Sequence, residues 1–295
     1  MSAPAVRVLF DEPGPRGRMR IRVLTVAIVV GVAAVLFWAW HTLSATGELA
    51  WPKWKPFVQQ WAVWFMLAGL KGTLIVAVVA SVVAFPLGAL LAVGRSGRNP
   101  VLRRLCTAYI EIFRSVPTLL LVYMFLFALP GIGLNLGIFG KLVVPIIMIN
   151  AAVIAELVRA GINALDRGQR EAAYSVGMTG AQTMRLVIMP QAIRLVLPAL
   201  VTQLVAIVKD STLGYVVSYP ELMKQANLLA NNTKLLLQAF VVVSLIYVVI
   251  NFALTRLAIW LEGRLRRSPG TGRRGDAEAA EEEIQRDLPS VVAPH

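Results

Sequence analysis

A chain of 295 residues that is 57% hydrophobic and only 15% charged departs from the balance of a water-soluble domain and points to a lipid bilayer. Lys and Arg outnumber Asp and Glu by 29 to 16, but they gather at the ends of apolar runs, where the tryptophans also lie; this is membrane patterning and not a nucleic-acid-binding face. The single cysteine, Cys106, excludes an intrachain disulfide and any CxxC metal or redox centre.

Residues 1–23 are rich in Pro, Gly and Arg through Asp11-Glu-Pro-Gly-Pro-Arg-Gly-Arg18, the chemistry of a loosely ordered tail. A first apolar run, Leu24 to Leu43, has the length of about 20 residues that crosses a bilayer and lacks a clear A-x-A cleavage site, so it reads as a retained anchor. With the loop after it, it makes up a segment over 24–60. There Trp51-Pro-Lys-Trp-Lys-Pro56 suits an extended or broken stretch in the outer interface.

Five more runs follow within 61–261: Trp61 to Val93, Leu105 to Leu129, Leu142 to Arg159, Leu195 to Val217 and Leu235 to Ile259. Arginines mark one set of span ends: Arg16, Arg18, Arg20 and Arg22; Arg95, Arg98, Arg103 and Arg104; Arg167, Arg170 and Arg185; Arg264, Arg266 and Arg267. The other ends carry only Lys53, Lys55, Lys141, Lys224 and Lys234. The positive-inside rule then places the arginine ends, and both termini, in the cytoplasm of a multi-pass cell-membrane protein. The tail 262–295 turns from basic (Arg264 to Arg274) to acidic (Asp276 to Glu283) and reads as disordered.

The connection 164–194 between the fourth and fifth runs is too long for a turn and too polar to span. Gln169 to Val176 contains good helix formers with Ala172, Ala173 and Val176 on one side, and Gly177 and Gly180 supply a stop and a turn. A short helix with a small-residue face can seat in a groove on another protein.

Glu171-Ala172-Ala173, then Gly177, Val187 and Met189-Pro190, have the spacing of the E-A-A loop of permease subunits of binding-protein-dependent importers, with Val for Ile and Met for Leu. Gly69-Leu-Lys-Gly-Thr-Leu74, Glu111-Ile-Phe-Arg-Ser-Val-Pro117, Glu156-Leu-Val-Arg159 and Lys209-Asp-Ser-Thr-Leu213 extend the likeness to the polar amino-acid branch. The start Leu9 to Arg18, joined to an extra first span, is similar to that of glutamate-import permeases.

This resemblance implies an all-α integral membrane fold of six transmembrane helices, a five-helix type I ABC importer core plus one added N-terminal helix. It also implies that Glu171, Ala172, Ala173, Gly177, Met189 and Pro190 couple the chain to an ABC ATPase subunit dimer. The further implied partners are a second permease subunit and an extracytoplasmic amino-acid-binding protein, with the lipid bilayer around them and no nucleic acid. No cofactor is expected in this chain, because the partner ATPase would bind ATP and Mg. No G-x-x-x-x-G-K-[ST] stands anywhere in the sequence.

Charges inside spans are costly, about 2.5–3.5 kcal/mol each near a helix centre. Arg114, Glu156, Arg159, Lys209 and Asp210 are therefore candidates for the substrate path, with interhelical structural pairing the competing reading. Glu156 and Arg159 can pair at i, i+3, whereas Lys209 and Asp210 point about 100° apart and cannot meet face to face. A secondary transporter using Lys209, Asp210 and Glu156 as an ion site is the alternative, and the E-A-A loop argues against it. The only histidines, His41 and His295, and the lack of HExxH or GxSxG argue against an enzyme.

Overall fold

The computed structural model describes residues 14–97 and 99–266, and every element among them is helical. Helix α1 is Pro15–Ala45, α2 Gln60–Ser96, α3 Pro100–Ser115 and α4 Thr118–Gly131. Helix α5 is Ile138–Ala164, α6 Arg167–Ser175, α7 Gly180–Tyr215, α8 Leu222–Thr233 and α9 Leu236–Arg266. Five of these helices are long and apolar enough to cross a membrane, or six if α3 and α4 count as one bent span.

Several boundaries differ from the sequence reading. Helix α1 starts at Pro15, nine residues before the expected Leu24, because proline fits the first helical position and the Arg16–Arg22 stretch contains good helix formers. The segment Trp51–Val58, expected to be extended or broken, is broken into two short helical turns. Helix α9 continues to Arg266, past the expected end at Leu261; the expectation of disorder beyond that point, like most of the N-terminal tail, lies outside the described residues.

The third expected span is the largest correction. It breaks between α3 and α4 with a bend of 99°. Pro117 holds its predecessor out of the helical region, and Val116 is extended at φ −89° and ψ 127°. Helix α8 was not foreseen, because its Leu222, Ala226, Leu229 and Ala230 alternate with polar residues and the run is too short to span.

Helices α2 and α5 make the most extensive pair, and α7 packs on α5. Small residues permit this: Thr73, Ala77, Ala80, Ala84, Gly88 and Ala92 form a buried stripe along α2. A methyl group added to Gly88 would lie 2.7 Å from Ile154 Cγ2 and 2.8 Å from the Ala151 carbonyl oxygen. Around this seam one core gathers Ile110, Ile154, Val158, Ile162, Ile188 and Leu200. A second gathers Val76, Val122, Leu142, Ile146, Ile207 and Val217 further along the bundle.

Helix α1 stands apart, with none of its apolar window buried within the subunit. Its link to the body is the loop that follows. Gln238 at the start of α9 donates to the Glu48 carbonyl oxygen at 3.0 Å and to its carboxylate at 2.9 Å, and Lys53 pairs with the same carboxylate at 2.7 Å.

Candidate functional site

Helix α6 projects between α5 and α7. Asp166 caps it by accepting from the Gly168 N–H at 2.7 Å, and the helix closes at a glycine stop. Gly177 sits at φ +80°, where its N–H donates to the Tyr174 carbonyl at 3.0 Å and that of Met178 reaches the Ala173 carbonyl at 3.1 Å. Thr179 and Gln182 then form a capping box that starts α7 at once. Two capped helices thus meet in a fixed corner.

The small-residue face divides differently from the sequence reading. Ala173 is buried against the body, whereas Glu171, Ala172 and Val176 stay outside, Val176 at 74% exposure. Met189 packs partly against the first core, and Pro190 is exposed. The stretch before them, Thr183–Ile188, is wound as a π-helix. Pro190 lacks an N–H and its ring would crowd the Leu186 carbonyl in a regular turn; the wider π turn relieves both problems. Gln191 Nε2 donates to Gln169 Oε1 at 3.2 Å and so ties α6 to α7.

Three of the five candidate path residues meet at one carboxylate. Glu156 on α5 pairs with Arg159 one turn on, with Arg95 at the end of α2 at 2.9 Å, and with Arg114 near the end of α3 at 3.8 Å. Arg95 also reaches Glu111 at 3.5 Å. Arg95 counted only as a span-end charge in the sequence, and nothing local marks it as a partner of a residue 61 positions away.

Lys209 and Asp210 form a separate arrangement and do not pair with each other. Asn150, buried on α5, donates Nδ2 to Asp210 at 3.0 Å and to the Ile146 carbonyl at 2.8 Å, while Gln203 donates to the Asn150 side-chain oxygen. Asp210 is thereby held on the α5 side of α7. Lys209, about 100° round the helix, is exposed and has no ion pair within the described residues. Asn150 and Gln203 escaped the sequence reading because an uncharged amide in a span gives little signal. The helix tightens just beyond, over Ser211–Tyr215.

The family described as binding-protein-dependent transport system inner membrane component matches residues 84–267. This covers more than half of the chain, including α6, the glycine stop and the Glu156 cluster. The chain belongs to that family. It is 40% identical over 229 residues to the glutamate transport system permease protein GluD of Corynebacterium glutamicum, covering 76% of this chain and 84% of the relative. It is 39% identical over 200 residues to the probable glutamine ABC transporter permease protein GlnM of Bacillus subtilis, covering 68% and 93%. Among solved structures, an amino acid ABC transporter superposes with a TM-score of 0.64 at 31% identity, covering 68% of this chain and 94% of that one. As a permease subunit, the chain leaves ATP hydrolysis to a partner.

The permease also buries a carboxylate at the opposite end from the arginines. Glu221 caps α8 by accepting from the Met223 and Lys224 N–H groups, both at 2.7 Å, and from the Tyr247 hydroxyl on α9 at 3.1 Å. Burial outweighs these donors and pushes its carboxyl up to about 7. The unfolded chain releases this proton near the ordinary glutamate value, so between that value and about 7 the folded state holds more protons and loses stability as pH rises. The loss is on the order of 3 kcal/mol and levels off above the folded value. Thermal denaturation in detergent should therefore show a midpoint falling between pH 5 and 7.5, and Glu221→Gln should flatten that fall relative to the wild type. Parallel profiles for the two proteins would refute the assignment.

Proposed function

We propose that this chain forms the translocation path of an ATP-driven, binding-protein-dependent importer of polar amino acids, with glutamate the favoured substrate. Helix α6 is the coupling element. Glu171, Ala172 and Ala173 lie on it, Gly177 ends it, and Met189 and Pro190 begin the following span, so that closure of the ATPase dimer against α6 turns α7. The observation that carries this reading is the α6 corner itself: a short helix that buries Ala173 against the body and exposes Glu171, Ala172 and Val176, locked at both ends and tied to α7. The arginine ends and both termini face the cytoplasm, where the ATPase would sit.

The 40% likeness to a glutamate permease supports the substrate class, and the chemistry of the path is compatible with it. An amino acid brings a carboxylate and an ammonium group that must be met inside the bilayer. Lys209, with no ion pair among the described residues, suits the first, and Asp210, held by Asn150, suits the second. Glu156, Arg114 and Arg159 lie nearer the arginine end and fit the interhelical role, fixing α2, α3 and α5 as one body. A second permease subunit, homologous or identical, would close the path from the other side, and an outer binding protein would deliver the substrate.

Co-purification from detergent tests the coupling role. The wild type should retain its ATPase subunits. Gly177→Val puts a β-branched residue at φ +80°, a strain of about 1–3 kcal/mol that bends the α6 corner. That variant should insert normally yet lose most of its bound ATPase and substrate-stimulated hydrolysis. Undiminished ATPase retention and transport in Gly177→Val would remove α6 from the coupling path.

A further inference from the structure

At the arginine end, α2, α3, α5 and α6 enclose an open pocket of about 530 Å³. Arg95, Arg103, Arg104, Arg159 and Arg170 line it, and Glu111 is the single carboxylate in the lining. Arg95 and Arg159 are engaged with Glu156 behind the wall. Arg103, Arg104 and Arg170 have no ion pair within the described residues. Arg103 and Arg104 on α3 and Arg170 on α6 are thus left facing one another uncompensated, and an anion of several charges would relieve them far better than the dispersed ions of the solvent.

We infer that this pocket receives the acidic run of the chain's own C-terminal tail, residues 276–283. The run holds Asp276, Glu278, Glu281, Glu282 and Glu283 with no basic residue between them, a dense set of carboxylates for the three uncompensated guanidinium groups. The tether reaches. Helix α9 packs on α8 near its start, through Ala239 and Val243, and its length of about 45 Å directs Arg266 toward the end of the bundle away from α8, the end at which the pocket opens. Residues 267–275 then extend up to about 30 Å, roughly the width of a small domain. Seated there, the acidic run would lie against Arg170 on α6 and brace that helix from the body side. The docking stands independently of the role proposed for α6; only its regulatory consequence, control of the coupling helix by the tail, rests on that reading.

Disulfide trapping tests the docking without any ATPase present. In a Cys106→Ala background carrying a protease site between residues 268 and 272, Arg104→Cys is combined with Glu282→Cys in neutral phosphatidylcholine nanodiscs. Mild oxidation followed by cleavage should leave the tail attached to the body. The bond should form at least about tenfold faster than in a Leu186→Cys/Glu282→Cys control, whose position 186 is exposed at the same end. Neutralising the other acids of the run should abolish that advantage, as should 0.5 M salt. Equal rates in the two cysteine pairs would overturn the proposal. So would cross-linked dimers in place of the intrachain bond, or loss of the bond when phosphatidylglycerol replaces phosphatidylcholine, which would assign the pocket to lipid phosphate.

Discussion

Glu156→Gln should lower the thermal midpoint of the purified subunit by several degrees and cut transport at least tenfold. The carboxylate serves three arginines from three helices: Arg95, Arg114 and Arg159. An amide of the same shape keeps one acceptor oxygen, turns the other into an NH2 donor facing arginines, and neutralises none of them. Stripping the partner from a fully buried ion pair costs about 3–5 kcal/mol. The Glu156 side chain is 23% exposed, so a loss of about 2 kcal/mol is the appropriate scale. Pairing the change with Arg95→Gln should recover part of it, because the double variant removes one of the stranded cations along with the anion. A double variant whose loss is the sum of the two single losses would show that the 2.9 Å contact contributes nothing.

Gly88→Val should be more severe and should yield little folded protein. The first side-chain carbon already meets Ile154 Cγ2 at 2.7 Å and the Ala151 carbonyl oxygen at 2.8 Å. Ile154 could rotate, but the carbonyl belongs to the α5 backbone and moves only if α2 and α5 separate. That seam is the most extensive in the subunit. Overpacking of this kind typically costs about 1–3 kcal/mol and more where backbone must shift. Gly31→Val is the matched control: Gly31 has nothing within 4 Å, so the same added bulk on α1 should leave the midpoint unchanged. A stable, monodisperse Gly88→Val protein would mean that the helices do not meet there as described.

These two glycines also show what could be read in advance. Both sit in apolar runs whose membrane character is plain, and neither announces which one touches a neighbour. Helix α2 is apolar nearly all the way round, so hydropathy does not orient it; only the small-residue stripe from Thr73 to Ala92 does. At the α6 corner the signals were local and legible. Gly177 stops a helix, Pro190 disturbs the next, and both effects act within a turn of the residue that causes them. The side of α6 that carries Ala173 was misjudged, because a nine-residue helix is oriented by the elements it joins.

The sequence by itself determined the membrane class, the spans other than the broken third, and the corner between α5 and α7. Each follows from runs of apolar residues or from backbone chemistry at a single position, and a bilayer leaves a backbone crossing it few options besides a helix. The Glu156–Arg159 pair was legible as i, i+3 on one helix, but the tertiary structure alone decided which polar groups meet across helices. Glu156 finds Arg95 across 61 positions and Asn150 finds Asp210 across 60. Those meetings depend on how far each helix is rotated about its axis, and lipid and neighbouring helices are too nearly alike in polarity for hydropathy to fix that angle. Close packing of small residues fixes it instead, and that is a property of the assembled bundle.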